Sequence, residues 1–276
     1  MPELPEVETI RRGAEPLLVG RRLSQVELRR RDLRWPIPVR SIENLVGLSC
    51  QSVDRRSKYL LLQFDGKQEP LAIVHLGMSG RLFVDITTDE PEWRLHEHWR
   101  MRFDDRLVRF VDPRRFGCLD AGSRAKLDEH RLLQGLGQEP LQPEFDALFL
   151  HRVSRRRKLS IKSLLMDGRV LVGVGNIYAS EACWHARVRP RRAAGSLRRA
   201  ESAALVEAVK RVLQAAISAG GTSFRDYVGV AEDSGYFARE LAVYEREGRA
   251  CRRCRTPIKR TTDGGRSTYW CPGCQR

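Results

Sequence analysis

Apolar and polar positions change their period twice along this chain. The first fifteen residues read as a short helix, with Pro5 in its first turn, where a missing N–H leaves no intrahelical partner unmet. From about Arg21 to Leu119 the pattern becomes a series of short strand-like runs: LSQVEL, YLLLQF, LAIVHL, RLFVDI, WRMRF and LVRFV. Turn signals such as FDGK and FDDR separate them, and strands spaced in this way predict a β-sandwich or barrel. From about Gln134 the period is helical. LSIKSLLMDG and NIYASEACWHARV form two helical segments broken by GRVLVGVG. Ser196 is placed to cap a long helix with Leu205, Val209, Val212, Leu213, Ala216 and Ile217 on one face, ended by Gly220-Gly221. The following TSFRDYVGVAEDSGYF, polar and glycine-containing, reads as a mobile loop. Internal repeats and low-complexity tracts are absent from the sequence.

At 276 residues the chain is long enough for two domains, each with its own core. No stretch approaches the roughly 20 apolar residues of a membrane span, and the opening lacks the apolar run of a secretory signal. Charge changes the picture more. There are 50 Lys+Arg against 35 Asp+Glu, a net +15, which points to a polyanionic partner with nucleic acid the first candidate. Between His151 and Ala200 stand thirteen Lys/Arg against two acids, Asp167 and Glu181. A solvated helical surface is the ordinary explanation of such a run; at this concentration a phosphate-tracking surface is the stronger one.

Seven cysteines separate into scattered Cys50, Cys118 and Cys183 and clustered Cys251, Cys254, Cys271 and Cys274. The odd count without a signal peptide argues for a reducing, cytosolic setting. The clustered four form two Cys-x₂-Cys pairs separated by sixteen residues, the spacing of two knuckles joined by a hairpin around one Zn²⁺. All four corners are protein ligands, so the metal is structural. Arg266 is then at the tip of that hairpin or on its return strand, and the scattered three are small buried apolar residues.

The opening PELPEVET carries candidate chemistry. Removal of Met1 would expose Pro2 as a secondary amine with a pKa near 8, roughly a tenth of it unprotonated at neutral pH. Glu3 and Glu6, three apart, share a helix face beside it, so an amine nucleophile with acid/base partners is available. On these residues alone, a proline and acids that merely start a helix are the simpler explanation.

Taken together, PELPEVET, RSKYLLL, HLGMSG, DPRRFG, LLMDGRVLVGVGNIYASEA and the four-cysteine tail closely resemble the bacterial formamidopyrimidine-DNA glycosylases (8-oxoguanine DNA glycosylase/AP lyase), in the family's order and over essentially the whole chain. The resemblance implies a multi-domain α+β fold. An N-terminal β-sandwich with an N-terminal helix (1–133) would precede a helical domain with a helix–two-turn–helix (134–241). A four-cysteine zinc finger (242–276) would follow, with DNA in the cleft between. It implies base-excision repair: removal of oxidised purines from duplex DNA by a cytoplasmic, nucleoid-associated bacterial monomer with no membrane role.

Residue by residue, the resemblance implies that Pro2 attacks the sugar C1′ of a flipped-out nucleotide, leaving a Schiff base. Glu3 would help open the sugar ring and Glu6 aid positioning. Lys58 would give a proton in β-elimination, and Arg266 would serve δ-elimination and phosphate binding. Met78, Arg114 and Phe116 would fill the gap left by the extruded base, with Arg114 facing the orphaned cytosine. His96, Arg157 and Asn176 would contact DNA, and the segment from Thr222 to Tyr236 would close over the damaged base. Without the resemblance, Lys58 reads as a surface lysine at a strand start, Met78 and Phe116 as core residues and Asn176 as a helix N-cap. The nearest alternative, an endonuclease VIII-like enzyme for oxidised pyrimidines, typically begins PEGPE; Leu4 and the PRRFG segment side with the purine enzyme. A non-catalytic zinc-ribbon DNA-binding protein would explain charge and cysteines but not Pro2, Glu3 and Lys58.

Overall fold

Helix α1 (Leu4–Leu18) starts where Glu3 leaves extended backbone, and the Glu3 N–H donates to the Glu6 carboxylate at 2.8 Å. Pro5 occupies the first turn, as its sequence position requires, and Leu4, Val7, Ile10, Ala14 and Leu18 form the buried stripe. In this computed structural model residues 2–220 and 240–276 are described; the loop expected over Thr222–Tyr236 lies outside them. They divide into two compact units, residues 2–134 and residues 135–220 with 240–276.

The first unit continues with β1 (Leu23–Leu28), a short helix α2 (Val39–Glu43), β2 (Cys50–Arg56), β3 (Tyr59–Phe64), β4 (Pro70–His75), β5 (Arg81–Ile86), β6 (Glu97–Phe103), β7 (Arg106–Val111) and β8 (Cys118–Ser123). These strands form two antiparallel four-stranded sheets, ordered β1-β6-β7-β5 and β2-β3-β4-β8. Val53, Leu60, Leu62 and Phe64 of one sheet share a core with Met101, Phe103, Val108 and Phe110 of the other. Val7, Ile10, Ala14 and Leu18 of α1 join it, and the Phe64 and Phe103 rings stack at 6.0 Å across the sheets. The unit is the expected β-sandwich with its N-terminal helix. All six strand-like runs are strands. The two that the pattern did not show, β2 and β8, are the edges of one sheet, and CQSVDRR and CLDAGS hold few apolar side chains and no alternation of them.

The second unit comprises α3 (Ala147–Ser154), α4 (Ile161–Leu165), α5 (Asn176–His185), α6 (Arg199–Ser218) and a hairpin of β9 (Lys259–Asp263) and β10 (Arg266–Trp270). Between α4 and α5 the chain turns at Asp167, whose carbonyl accepts from Val170 (2.8 Å) and Leu171 (2.9 Å), and Val170, Leu171, Val172 and Val174 are buried. The apolar face expected for α6 is buried in full. Its cap is not Ser196. That hydroxyl donates to the Ala193 carbonyl and accepts from Arg192, so the helix starts after Arg198, whose N–H donates to Glu201 at 2.8 Å. Gly220, at φ +76°, ends it as expected. The helices share one apolar core, and a smaller one forms where Trp184 of α5 meets Val243, Cys251, Ile258 and Tyr269 of the finger. Among the described residues no helix is long and apolar enough to cross a membrane.

Candidate functional site

Pro2 is buried, and Glu3 behind it is only 3% exposed. The strand hairpin under α1 carries Lys58. Ser57 and Lys58 form a two-residue turn between β2 and β3, with Ser57 at φ +57°. Arg55 ties this turn to the helix, pairing with Glu8 at 3.1 Å and donating to the Ser57 carbonyl at 2.8 Å. Burial works to raise the Glu8 pKa, but Arg12, Arg11 and Arg55 outweigh it and hold the carboxyl below its ordinary value. Lys58 is therefore a half-buried turn residue ahead of β3, not simply a surface lysine.

Met78 and Phe116 are not core residues. They stand 44% and 41% exposed, on two loops whose backbones are in contact. Gly77, at φ +67°, leaves no room for a β-carbon, which would meet the Phe116 carbonyl group and approach the Gly117 nitrogen to 2.5 Å. Gly117 is equally confined, its β-carbon position being 2.5 Å from the Phe110 ring and 2.8 Å from the His75 carbonyl. Asp112 organises the second loop. Its fully buried carboxylate accepts from the N–H groups of Arg114 (3.2 Å) and Gly117 (2.8 Å) and from the Ser79 hydroxyl (2.6 Å).

The Asp112 N–H donates to the His96 carbonyl at 2.9 Å, so exposed His96, itself at φ +63°, is drawn to the same cluster. The Arg114 guanidinium lies 4.8 Å from the Phe116 ring centre. The Gly77 N–H donates to His75 Nδ1 at 3.0 Å. Burial, with the Lys58 and Arg34 charges behind it, lowers the His75 pKa to about 4, so the imidazole is neutral and able to accept. Met78, His96, Arg114 and Phe116 are thus brought together by main-chain contacts that short glycine and aspartate residues permit.

In the second unit, exposed Arg157 follows α3 with its guanidinium 3.7 Å from Asp167. Asn176 is the first helical residue of α5, not its cap; Gly175 holds that position. Its Nδ2 donates at 3.0 Å to the Ser267 carbonyl, beside Arg266. Arg266 is exposed, the first residue of the return strand directly after the Gly264–Gly265 turn. The charge run between His151 and Ala200 is not all surface: Lys162 is 1% exposed and is hydrogen-bonded to the finger hairpin.

The Sγ atoms of Cys251, Cys254, Cys271 and Cys274 all lie within 4.8 Å of one another. Four thiolates about 2.3 Å from a common Zn²⁺ stand roughly 3.8 Å apart, so this set fits one tetrahedral structural ion with no open position. The indole of Trp184 donates to Cys251 Sγ at 3.4 Å, as does the Arg253 N–H at the same distance. Cys50, Cys118 and Cys183 are buried, and desolvation pushes each thiol up to about 12. They are inert packing residues, as expected.

Three residues that hold this arrangement were not singled out from sequence: Asp112, Lys162 and Glu181. Glu181, on α5, is buried and accepts the N–H groups of Ala242 (2.8 Å), Val243 (2.9 Å) and Tyr244 (2.8 Å), fixing the segment that leads into the finger. The only sequence signal for Lys162 and Glu181 is a charge inside an otherwise apolar helical stretch.

Three family models match the chain in order. Residues 1–119 match the formamidopyrimidine-DNA glycosylase N-terminal domain, 136–228 the H2TH domain of the same enzymes, and 248–276 the zinc finger found in FPG and IleRS. The formamidopyrimidine-DNA glycosylase of Thiobacillus denitrificans is 50% identical over 277 residues, covering 100% of both chains. That of Thioalkalivibrio sulfidiphilus is also 50% identical with full coverage. Among solved structures, a Lactococcus lactis FPG mutant in complex with a Fapy-dG containing DNA is 32% identical, with a TM-score of 0.90 and 100% of each chain covered. The wild-type Lactococcus lactis enzyme with an oxidised pyrimidine containing DNA gives 31% and 0.89, again over 100% of each chain. With its sandwich, two-turn helical segment and four-cysteine finger in this order and at this identity, the chain belongs to the formamidopyrimidine-DNA glycosylase family.

Proposed function

We propose that this protein is a bifunctional DNA glycosylase/AP lyase that removes oxidised purines, 8-oxoguanine and formamidopyrimidines, from duplex DNA as a cytoplasmic monomer. The observation that carries the reading is at the N-terminus. In the full chain the Pro2 nitrogen is an amide; loss of Met1 makes it a secondary amine directly preceding a buried carboxylate, Glu3. That amine attacks C1′, the bond from C1′ to the base breaks, and the base leaves with its electron pair and takes up a proton. Glu3 serves the proton transfer that opens the sugar ring. The resulting iminium acidifies the C2′ proton. Its loss expels the 3′ phosphate, with Lys58 as proton donor, and loss of the C4′ proton then expels the 5′ phosphate, with Arg266 on the departing group.

Met78, Arg114 and Phe116 fit the gap that an extruded nucleotide leaves. Exposing two large apolar side chains on tightly braced loops costs hydrophobic stabilisation that insertion into a base stack would recover. His96, Arg157 and Asn176 are assigned to DNA contacts, chiefly phosphate. Zinc, held by the four cysteines, supplies no chemistry; it fixes the hairpin that carries Arg266.

Borohydride reduction during turnover tests the reading. A covalent adduct forms on duplexes with 8-oxoguanine opposite cytosine, and it disappears in Pro2→Gly or when an extra residue precedes Pro2. Undiminished trapping by a chain with a blocked N-terminus would refute the nucleophile assignment. A second reading, a range that includes oxidised pyrimidines, is favoured by the Lactococcus lactis relative seen with such a DNA; a panel of single-lesion duplexes decides between them.

A further inference from the structure

Lys162 joins helix α4 to the finger hairpin from beneath. Its buried ammonium donates to the Ser267 carbonyl at 3.0 Å and to the Thr268 hydroxyl at 2.7 Å. The same Ser267 carbonyl accepts from Asn176 at 3.0 Å. On the facing strand, the Asp263 carboxylate accepts from the hydroxyls of Ser160, which caps α4, and Ser163. Asp263 and Arg266 are the facing pair on either side of the two-glycine turn. One short helix therefore grips both strands of the hairpin immediately behind Arg266.

Burying an ammonium is expensive, and a neutral side chain of the same length would pack there at lower cost. What a neutral side chain cannot do is hold a main-chain carbonyl with a charge-assisted hydrogen bond. Arg266 has a long, exposed side chain, so only the backbone beneath it can be fixed. The Ser267 carbonyl, one residue away, is that fixed point, and it is shared with Asn176.

We propose that Lys162 is a positioning residue for strand cleavage: by anchoring the Ser267 carbonyl it sets Arg266 and the Asn176 amide relative to each other, so that both engage phosphate during δ-elimination. In that step the C4′–H electrons form the new C4′=C5′ bond and the C5′–O pair leaves with the phosphate. The inference rests on the proposed role of Arg266.

The test compares end products on an abasic duplex for the zinc-loaded full chain, Lys162→Met, Arg266→Ala and the double variant. Lys162→Met is expected to keep its zinc and form the borohydride adduct, while its ratio of δ- to β-product falls about ten-fold, the effect of roughly one charge-assisted hydrogen bond. The double variant falls no further than Arg266→Ala, because both act through one contact. A folded, zinc-loaded Lys162→Met with the wild-type ratio overturns the inference, as does a double variant in which the two losses multiply. If Lys162→Met does not fold, Thr268→Val removes one partner of the ammonium; a smaller fall in the ratio supports the proposal and no fall overturns it. Arg266→Ala with an unchanged ratio sinks the underlying role of Arg266 and this inference with it, an outcome distinct from failure of Lys162→Met alone.

Discussion

Gly77 and Phe116 meet backbone to backbone, so closely that Gly77 has no space for even one more carbon. This contact holds the loop of Met78 against the loop of Arg114 and Phe116. Gly77→Ala adds a clash with main chain to a φ of +67°, a strain on the order of 1–3 kcal/mol. The variant is expected to melt lower and to excise lesions more slowly in single turnover. Gly135→Ala shares a positive φ but has open space, and is expected to lose stability without loss of excision per folded molecule.

His75 gives the fold a dependence on pH. Its pKa falls to about 4 in the native state against an ordinary 6.5. The unfolded chain therefore binds a proton as pH drops below about 6.5 that the native chain refuses until about 4, and native stability falls across that window. The loss is a few kcal/mol for this one group. Denaturant melts at pH 7, 5.5 and 4.5 should show it. His75→Gln, which cannot titrate, should flatten the slope; an unchanged slope would remove His75 as its source.

Glu97 is a buried carboxylate that accepts from Arg100 at 2.5 Å and from Arg109 at 2.6 and 3.0 Å. Burial raises its pKa, but the Arg109 and Arg100 hydrogen bonds overcome that and hold it below the ordinary range. Glu97→Gln takes the counter-charge from two buried guanidinium groups, although Arg109 keeps Asp85 at 3.4 Å and the Glu92 carbonyl at 2.6 Å; the expected cost is about 1–3 kcal/mol in chemical denaturation. Because the folded pKa is depressed, the wild-type contribution is present above the ordinary glutamate range and lost as pH falls through the folded value.

Zinc and the hairpin stand or fall together. Cys254→Ser, or chelation of the wild type, is expected to release one equivalent of metal and to weaken DNA affinity by orders of magnitude. Tryptophan fluorescence should report the change, because the Trp184 indole donates to Cys251 Sγ. Full affinity in chelator would contradict it.

Glu181→Gln tests the joint between α5 and the finger. The carboxylate takes three N–H groups on its two oxygens, whereas an amide must turn a donor toward at least one of them. A loss of about 1–3 kcal/mol is expected, with faster amide exchange at Ala242 to Tyr244.

Much of this molecule is legible in its sequence because local patterns encode it. The six strand runs, the apolar face of α6, the zinc knuckles and the inert cysteines each follow from side-chain period or spacing. Edge strands β2 and β8 are not legible because CQSVDRR and CLDAGS are mostly polar or small and show no apolar alternation, although β8 buries half of its residues. Ser196 misled because a good capping residue was already committed to Ala193 and Arg192.

What the amino-acid order settled alone was the strongly patterned elements, the metal-binding residues and the family the motifs resemble. The tertiary structure decided which apolar residues stay outside and which charges go in. Met78 and Phe116 look like core in one dimension, and Lys162 looks like surface. Their exposure depends on what lies across from them: a glycine's missing side chain, a neighbouring strand's carbonyl, a carboxylate on another loop. Those partners are distant in sequence, and only folding brings them within hydrogen-bonding range.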